Sequence, residues 1–88
     1  MIEDNSASEI TFYGTRWCGQ SIRSFHLLKK KGVDFTYIDI DKDGTAAKKV
    51  MSLNNGYRSV PTILFPDGTH LVEPSMRELL AKVKELQA

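Results

Sequence analysis

Strand, helix and strand follow one another between Glu9 and Asp41, and no other feature of the chain narrows its fold as much. The run EITFYG (Glu9 to Gly14) is rich in β-branched and aromatic residues, as strands are. From about Gly19 to Lys31, Ile22, Phe25 and Leu28, with His26 beside them, recur at helical spacing. Lys29, Lys30 and Lys31 then give a basic last turn before the stop at Gly32. In DFTYIDID (Asp34 to Asp41), Phe35 and Tyr37 alternate with Thr36, Ile38 and Ile40, which predicts a strand covered on both faces. Three such elements within about 30 residues predict a parallel βαβ unit with a right-handed crossover.

The rest of the chain continues the alternation. After the turn DKDG, Ala46, Ala47, Val50, Met51 and Leu53 predict a shorter helix over Thr45 to Leu53, closed by Asn54-Asn55-Gly56. The apolar run after Pro61, the turn PDGT and the run HLVE predict a β-hairpin over Thr62 to Glu73. Met76, Leu79, Leu80, Val83 and Leu86 form the stripe of a last helix, with Ser75 and Glu78 spaced as a capping box. The predicted order is β-α-β-α-β-β-α, an α/β domain.

A chain of 88 residues has apolar surface for one core. Residues 1–8 hold almost nothing to bury and are expected to be a flexible tail, with the domain over 9–88. A net charge of +1 offers no broad basic field for nucleic acid. No apolar run approaches the roughly 20 residues that span a bilayer, and the polar, acidic start is unlike a signal peptide. The expectation is a cytoplasmic protein without nucleic-acid or membrane partners. A metal site is not expected either: His26 reads as structural and His70 as a hairpin residue, and Asp39, Asp41 and Asp43 lack the later glutamate of a calcium loop.

The single cysteine, Cys18, stands in WCGQS where the strand gives way to the helix. There it meets unpaired N–H groups and the positive end of the helix dipole, which favour the nucleophilic thiolate. Arg16 adds positive charge nearby, and Trp17 offers an apolar platform. Ser21, three residues on, is placed to donate a hydrogen bond to the thiolate. A proline before a strand, as in Val60-Pro61-Thr62, is a position where a cis peptide occurs, although trans is the commoner state.

FYGTRWCGQS, YIDIDKD and NNGYRSVPTILFPDGTHLVEPS, in this order and at this spacing, resemble the glutaredoxin family, most of all its mycoredoxin-type bacterial members. The likeness runs from Glu9 to Val83. It implies a thioredoxin-like fold: a four-stranded mixed sheet flanked by three helices, with the first two strands parallel. It also implies a thiol-disulfide oxidoreductase in which Cys18 attacks a mixed disulfide between a protein and a small thiol. Ser59, Val60 and Pro61 match the segment whose proline is cis and whose valine backbone pairs with the bound thiol. Asp67 and Gly68 match the hairpin turn, and Ser75 lies near the place of a glutathione carboxylate at a helix N-terminus. Arg16, Trp17, Gln20 and Arg58 complete the expected substrate-binding set.

Ser21 occupies the place of a second cysteine, so no internal disulfide can form. Thr15 stands where many glutaredoxins have lysine, and Val72-Glu73 replaces a Gly-Gly pair before Pro74. Three readings follow. The first is a monothiol oxidoreductase, with glutathione, mycothiol or bacillithiol as co-substrate and no tightly bound cofactor. The second is an iron–sulfur carrier of the C-G-F-S kind, in which two chains and two glutathione thiols share a 2Fe–2S cluster. The third is a dithiol oxidoreductase whose resolving cysteine Ser21 replaces in this chain. For the first, the expected partners are the small thiol, substrate proteins carrying mixed disulfides and a thiol reductase system, and the protein is expected to be a monomer.

Overall fold

The computed structural model describes residues 10–87, so the expectation of a tail over 1–8 lies outside the described residues. The elements are β1 (Ile10–Gly14), α1 (Gly19–Lys30), β2 (Phe35–Asp39), α2 (Gly44–Leu53), β3 (Thr62–Leu64), β4 (His70–Val72) and α3 (Met76–Gln87). This is the β-α-β-α-β-β-α order expected from the pattern of the chain. The sheet runs β2-β1-β3-β4, with β1 parallel to β2 and antiparallel to β3, and β3 antiparallel to β4. The first two strands are therefore the parallel pair, and β1 lies inside the sheet with a neighbour on each side.

Alternation along the strands sends side chains to two cores. Ile10, Phe12, Ile63 and Phe65 on one face pack with Leu28 of α1 and with Leu79 and Val83 of α3. Tyr13 and Ile40 pack on the other face with Ala46 and Val50 of α2. Phe12 is fully buried, with the Phe25 ring edge-on at 6.3 Å and the Tyr37 ring at 5.6 Å. Each such apolar side chain contributes about 1.5–3 kcal/mol by leaving water. β2 is an edge strand; Phe35 and Tyr37 face the first core and Ile38 the second, each half-buried, while Thr36 is exposed.

The inward face of α1 differs from the expected one. Ser21, Ser24 and Leu28 are buried, whereas Ile22 is 43% exposed and His26 is also exposed. The reason is close approach. A Cβ on Gly14 would stand 2.7 Å from Phe12 Cε1, 3.1 Å from Ser21 Oγ and 3.3 Å from Ser21 Cβ. Ser21 and Gly14 bring α1 down onto the end of β1, and the larger Ile22 and His26 are left on the flank.

The other joints follow local chemistry. Asp43 caps α2 by accepting from the Ala46 N–H at 3.0 Å. Ser75 and Glu78 form the expected capping box, with the Ser75 N–H donating to Glu78 Oε1 at 2.8 Å and the Glu78 N–H to Ser75 Oγ at 3.0 Å. In the hairpin, the Phe65 N–H donates to the Thr69 carbonyl at 2.8 Å across a turn that needs Gly68 at φ 91°. Lys82 of α3 reaches Asp67 in this turn at 2.7 Å and lies over the Phe65 ring at 5.4 Å. No helix among the described residues is long and apolar enough to cross a membrane.

Candidate active site

Cys18 is the N-cap residue of α1, extended at φ −85° and ψ 117°, and its carbonyl accepts the helix's first hydrogen bond from the Ile22 N–H at 3.0 Å. The half-buried thiol therefore stands above the unpaired N–H groups of the first turn. Burial pushes its pKa up, but the Ser21 N–H and hydroxyl and the Gln20 N–H favour the thiolate and outweigh both burial and the Glu73 carboxylate. The net displacement is below the ordinary cysteine value. Ser21 is only 2% exposed, and its Oγ has no nitrogen or oxygen partner. The hydroxyl is thus unspent on the protein and available to a negatively charged sulfur.

Across from the thiol, the Val60 carbonyl oxygen lies 4.0 Å from Cys18 Sγ, and the Val60–Pro61 peptide is cis. The segment before β3 is held from below. Asn54 Nδ2 donates to Thr62 Oγ1 at 2.9 Å, and that hydroxyl donates to the Ser59 carbonyl at 2.7 Å. The Glu73 N–H donates to the Pro61 carbonyl at 2.8 Å, and Glu73 takes up φ 47°. Gln20 Nε2 donates to the Pro74 carbonyl at 2.9 Å, joining α1 to the approach to α3.

Trp17 is 72% exposed, and its indole Nε1 donates to Asp41 Oδ2 at 2.7 Å. The other carboxylate oxygen, Oδ1, meets Arg58 Nη2 at 3.3 Å, and Arg58 also approaches the Ile40 carbonyl at 3.4 Å. Arg58 is therefore already paired. So is Ser75, whose N–H donates to Glu78 and whose hydroxyl oxygen accepts from the Glu78 N–H. Cys18, Ser21, Trp17, Gln20, Ser59, Val60 and Pro61 gather at one end of the sheet with Arg58, while Arg16 is exposed on the β2 side of α1.

Three contributors were not picked out from the sequence. Asp41 stands 24 residues from Trp17 and 17 from Arg58, so only the fold brings them together. Glu73 acts on the sulfur from the end of β4, and Asn54 braces the Pro61 segment from the end of α2. The asparagine run after α2 reads as a helix stop, and nothing local distinguishes a brace from a stop.

The glutaredoxin family model matches residues 10–71 of the chain. The chain belongs to the glutaredoxin family. This glutaredoxin is 42% identical over 80 residues to Mycoredoxin 1 of Corynebacterium glutamicum, covering 90% of this chain and 98% of that one. It is 38% identical over 77 residues to a protein of Mycobacterium tuberculosis that carries the glutaredoxin name, covering 88% and 92% of the two chains. Among solved structures, a glutaredoxin from Archaeoglobus fulgidus superposes with a TM-score of 0.72 at 31% identity, over 98% of this chain and 96% of that one. The glutaredoxin of a buckwheat glutaredoxin–glutathione complex shares the fold, with a TM-score of 0.67 at 19% identity over 90% and 79% of the chains. Thiol oxidoreductase activity comes with the family, and the thioredoxin-like architecture expected from the sequence is the one observed.

Proposed function

We propose that this glutaredoxin reduces protein–small-thiol mixed disulfides by a monothiol cycle at Cys18, with a mycothiol-type thiol as co-substrate. The observation that carries this reading is the placement of the sole cysteine. Cys18 caps α1 with its pKa lowered, and the hydroxyl beside it is unspent. In the first step the Cys18 thiolate attacks the small thiol's sulfur in the mixed disulfide. The disulfide bond between the two sulfurs breaks, and the protein cysteine leaves as a thiolate that takes a proton from water. In the second step a further molecule of small thiol, as its thiolate, attacks the sulfur bound to Cys18. Cys18 returns as thiolate, and the small thiol leaves as its own symmetric disulfide, to be reduced by a separate reductase.

The preference for a mycothiol-type thiol rests on two supports. One is the 42% identity to Mycoredoxin 1. The other is electrostatic: Arg58 is engaged by Asp41, the start of α3 by Glu78, and Glu73 adds negative charge near the sulfur. A thiol bearing carboxylates gains little there, and one without them loses nothing. Arg16, Trp17, Gln20, Ser59 and Val60 line the approach in this reading, and the reducing cytoplasm is the compartment in which such a cycle runs.

The test is mass spectrometry of the protein after brief exposure to oxidised glutathione, mycothiol disulfide and bacillithiol disulfide. The expected result is an adduct at Cys18 that forms fastest with mycothiol disulfide. A faster glutathione adduct overturns the co-substrate, and no adduct at Cys18 with any of them overturns the cycle.

A further inference from the structure

A second feature adjoins the reactive sulfur. Between α1 and the edge of β2 lies an open cavity of about 260 Å³ with Ile22, Phe25 and Tyr37 on its walls and Arg16 and His26 at its rim. Thr15 and Ser21 also line it. Each is 2% exposed, and each has a side-chain oxygen without a hydrogen-bond partner. The rest of the lining surface is largely apolar, from Ile22, Phe25 and Tyr37.

The sheet order places this cavity. β2 and β3 flank β1 on opposite sides, and Cys18 follows the end of β1. The Val60 carbonyl therefore approaches the sulfur from the β3 side, and the cavity opens on the β2 side, with Ser21 among its lining residues. A mixed disulfide has two halves. In the proposed cycle the small thiol sits against Val60, which leaves the other flank to the substrate polypeptide.

We propose that this cavity receives a large apolar side chain, of phenylalanine size, lying within a few residues of the modified cysteine on the substrate protein. The inference rests on the oxidoreductase reading above and adds the class of protein substrate. The volume falls below the roughly 300 Å³ at which small-molecule pockets begin. It suits one side chain. The Arg16 guanidinium at the rim, opposite no carboxylate among the lining residues, favours an acidic neighbour beside that side chain. Thr15 and Ser21 line the cavity and each stands three residues from Cys18, so a few residues of extended peptide, at about 3.3–3.6 Å each, span from the sulfur to it.

The experiment measures kcat/KM for short cysteine peptides carried as their mycothiol mixed disulfides. In this series one phenylalanine moves from three residues before the cysteine to three after, against an all-alanine peptide. The expected result is one position at which phenylalanine raises kcat/KM by roughly tenfold. In Ile22→Ser that preference falls below about twofold, while turnover of the mycothiol–cysteine mixed disulfide stays unchanged. Ile22 is 43% exposed, so its loss spares the fold, and the unchanged small-substrate rate verifies this. The inference is overturned if no position gains over alanine, or if Ile22→Ser keeps the preference. It is also overturned if Ile22→Ser slows the small mixed disulfide equally, which would assign the cavity to the small thiol. Loss of turnover on every disulfide in the wild type would instead overturn the oxidoreductase reading itself.

Discussion

Replacing Ser21 by alanine sets stability against reactivity at one buried atom. In the thiol form Ser21 Oγ is buried without a partner, and a buried unpaired hydroxyl costs about 1–3 kcal/mol. Removing it also removes that cost, and alanine keeps the Cβ that packs over Gly14. The protein is therefore expected to gain about 1 kcal/mol at pH 6, or roughly 4–8 °C in Tm for a domain of this size. The sulfur loses what the fold gains. A hydrogen bond to a charged group is worth about 1.5–3 kcal/mol, but Cys18 is half-buried and water replaces part of the lost donor. The acid dissociation constant of the thiol is expected to fall by about threefold to tenfold, at 1.36 kcal/mol per factor of ten. Because the folded pKa of Cys18 lies below its unfolded value, thiolate linkage adds stability as pH rises through the folded pKa and is complete above the unfolded pKa of about 8.5. Ser21→Ala loses part of that linkage, so its advantage at pH 6 shrinks by pH 9.5. Thiolate absorbance at 240 nm against pH, with thermal melts at both pH values, measures all three quantities. A variant with an unchanged thiol titration would refute the role given to the hydroxyl. One less stable at pH 6 would refute the claim that it is unpaired.

Gly14→Ala forces a Cβ to within 2.7 Å of the buried Phe12 ring and is expected to cost about 1–3 kcal/mol by chemical denaturation, with a slower Cys18 alkylation rate as Ser21 shifts. Asp41→Asn frees Arg58 and weakens the Trp17 anchor; tryptophan emission should change, and the rate of adduct formation with oxidised glutathione should rise relative to mycothiol disulfide. The Asp67 carboxyl is held well below the usual carboxylate range by the Lys82 ammonium first and then by Thr69. This depressed carboxyl contributes stability that is present above its unfolded pKa of about 3.9 and lost as pH falls through the folded value, so Asp67→Asn should flatten the acid limb of a Tm–pH profile below pH 4. Anaerobic incubation with iron, sulfide and glutathione is expected to leave a colourless monomer by absorbance and gel filtration, whereas a coloured dimer would assign cluster carriage.

The order of elements was legible because its signals are local. The Ser75–Glu78 spacing, the PDGT turn and the alternation of Phe35 to Ile40 each act over a few residues, and each appears where it was expected. The buried face of α1 was not legible, since hydrophobicity points to Ile22 while the requirement is for small side chains against Gly14. That requirement belongs to a helix–strand distance, which no periodicity records. Cys18 was legible from its place at a helix start, and the Val60–Pro61 segment through the family likeness. The Trp17–Asp41–Arg58 cluster was not, because its members are joined only when β2 closes on β1.

The strand that ends in the Val60 shelf is fastened at both ends. Near the sulfur, Asn54 and Thr62 hold the Ser59 carbonyl; at the far tip, Lys82 ties Asp67 to α3. A hairpin secured twice has little freedom left to lose when a ligand arrives, so binding there pays only a small ordering cost. If the small thiol of the proposed cycle binds there, the shelf selects it by shape already present, and a poorly shaped thiol cannot improve its fit by moving it. Accommodation falls instead to Trp17, which hangs from a single hydrogen bond and can swing without disturbing either core. In the proposed cycle one side of the sulfur is a fixed gauge for the small thiol and the other an adjustable jaw for the departing polypeptide.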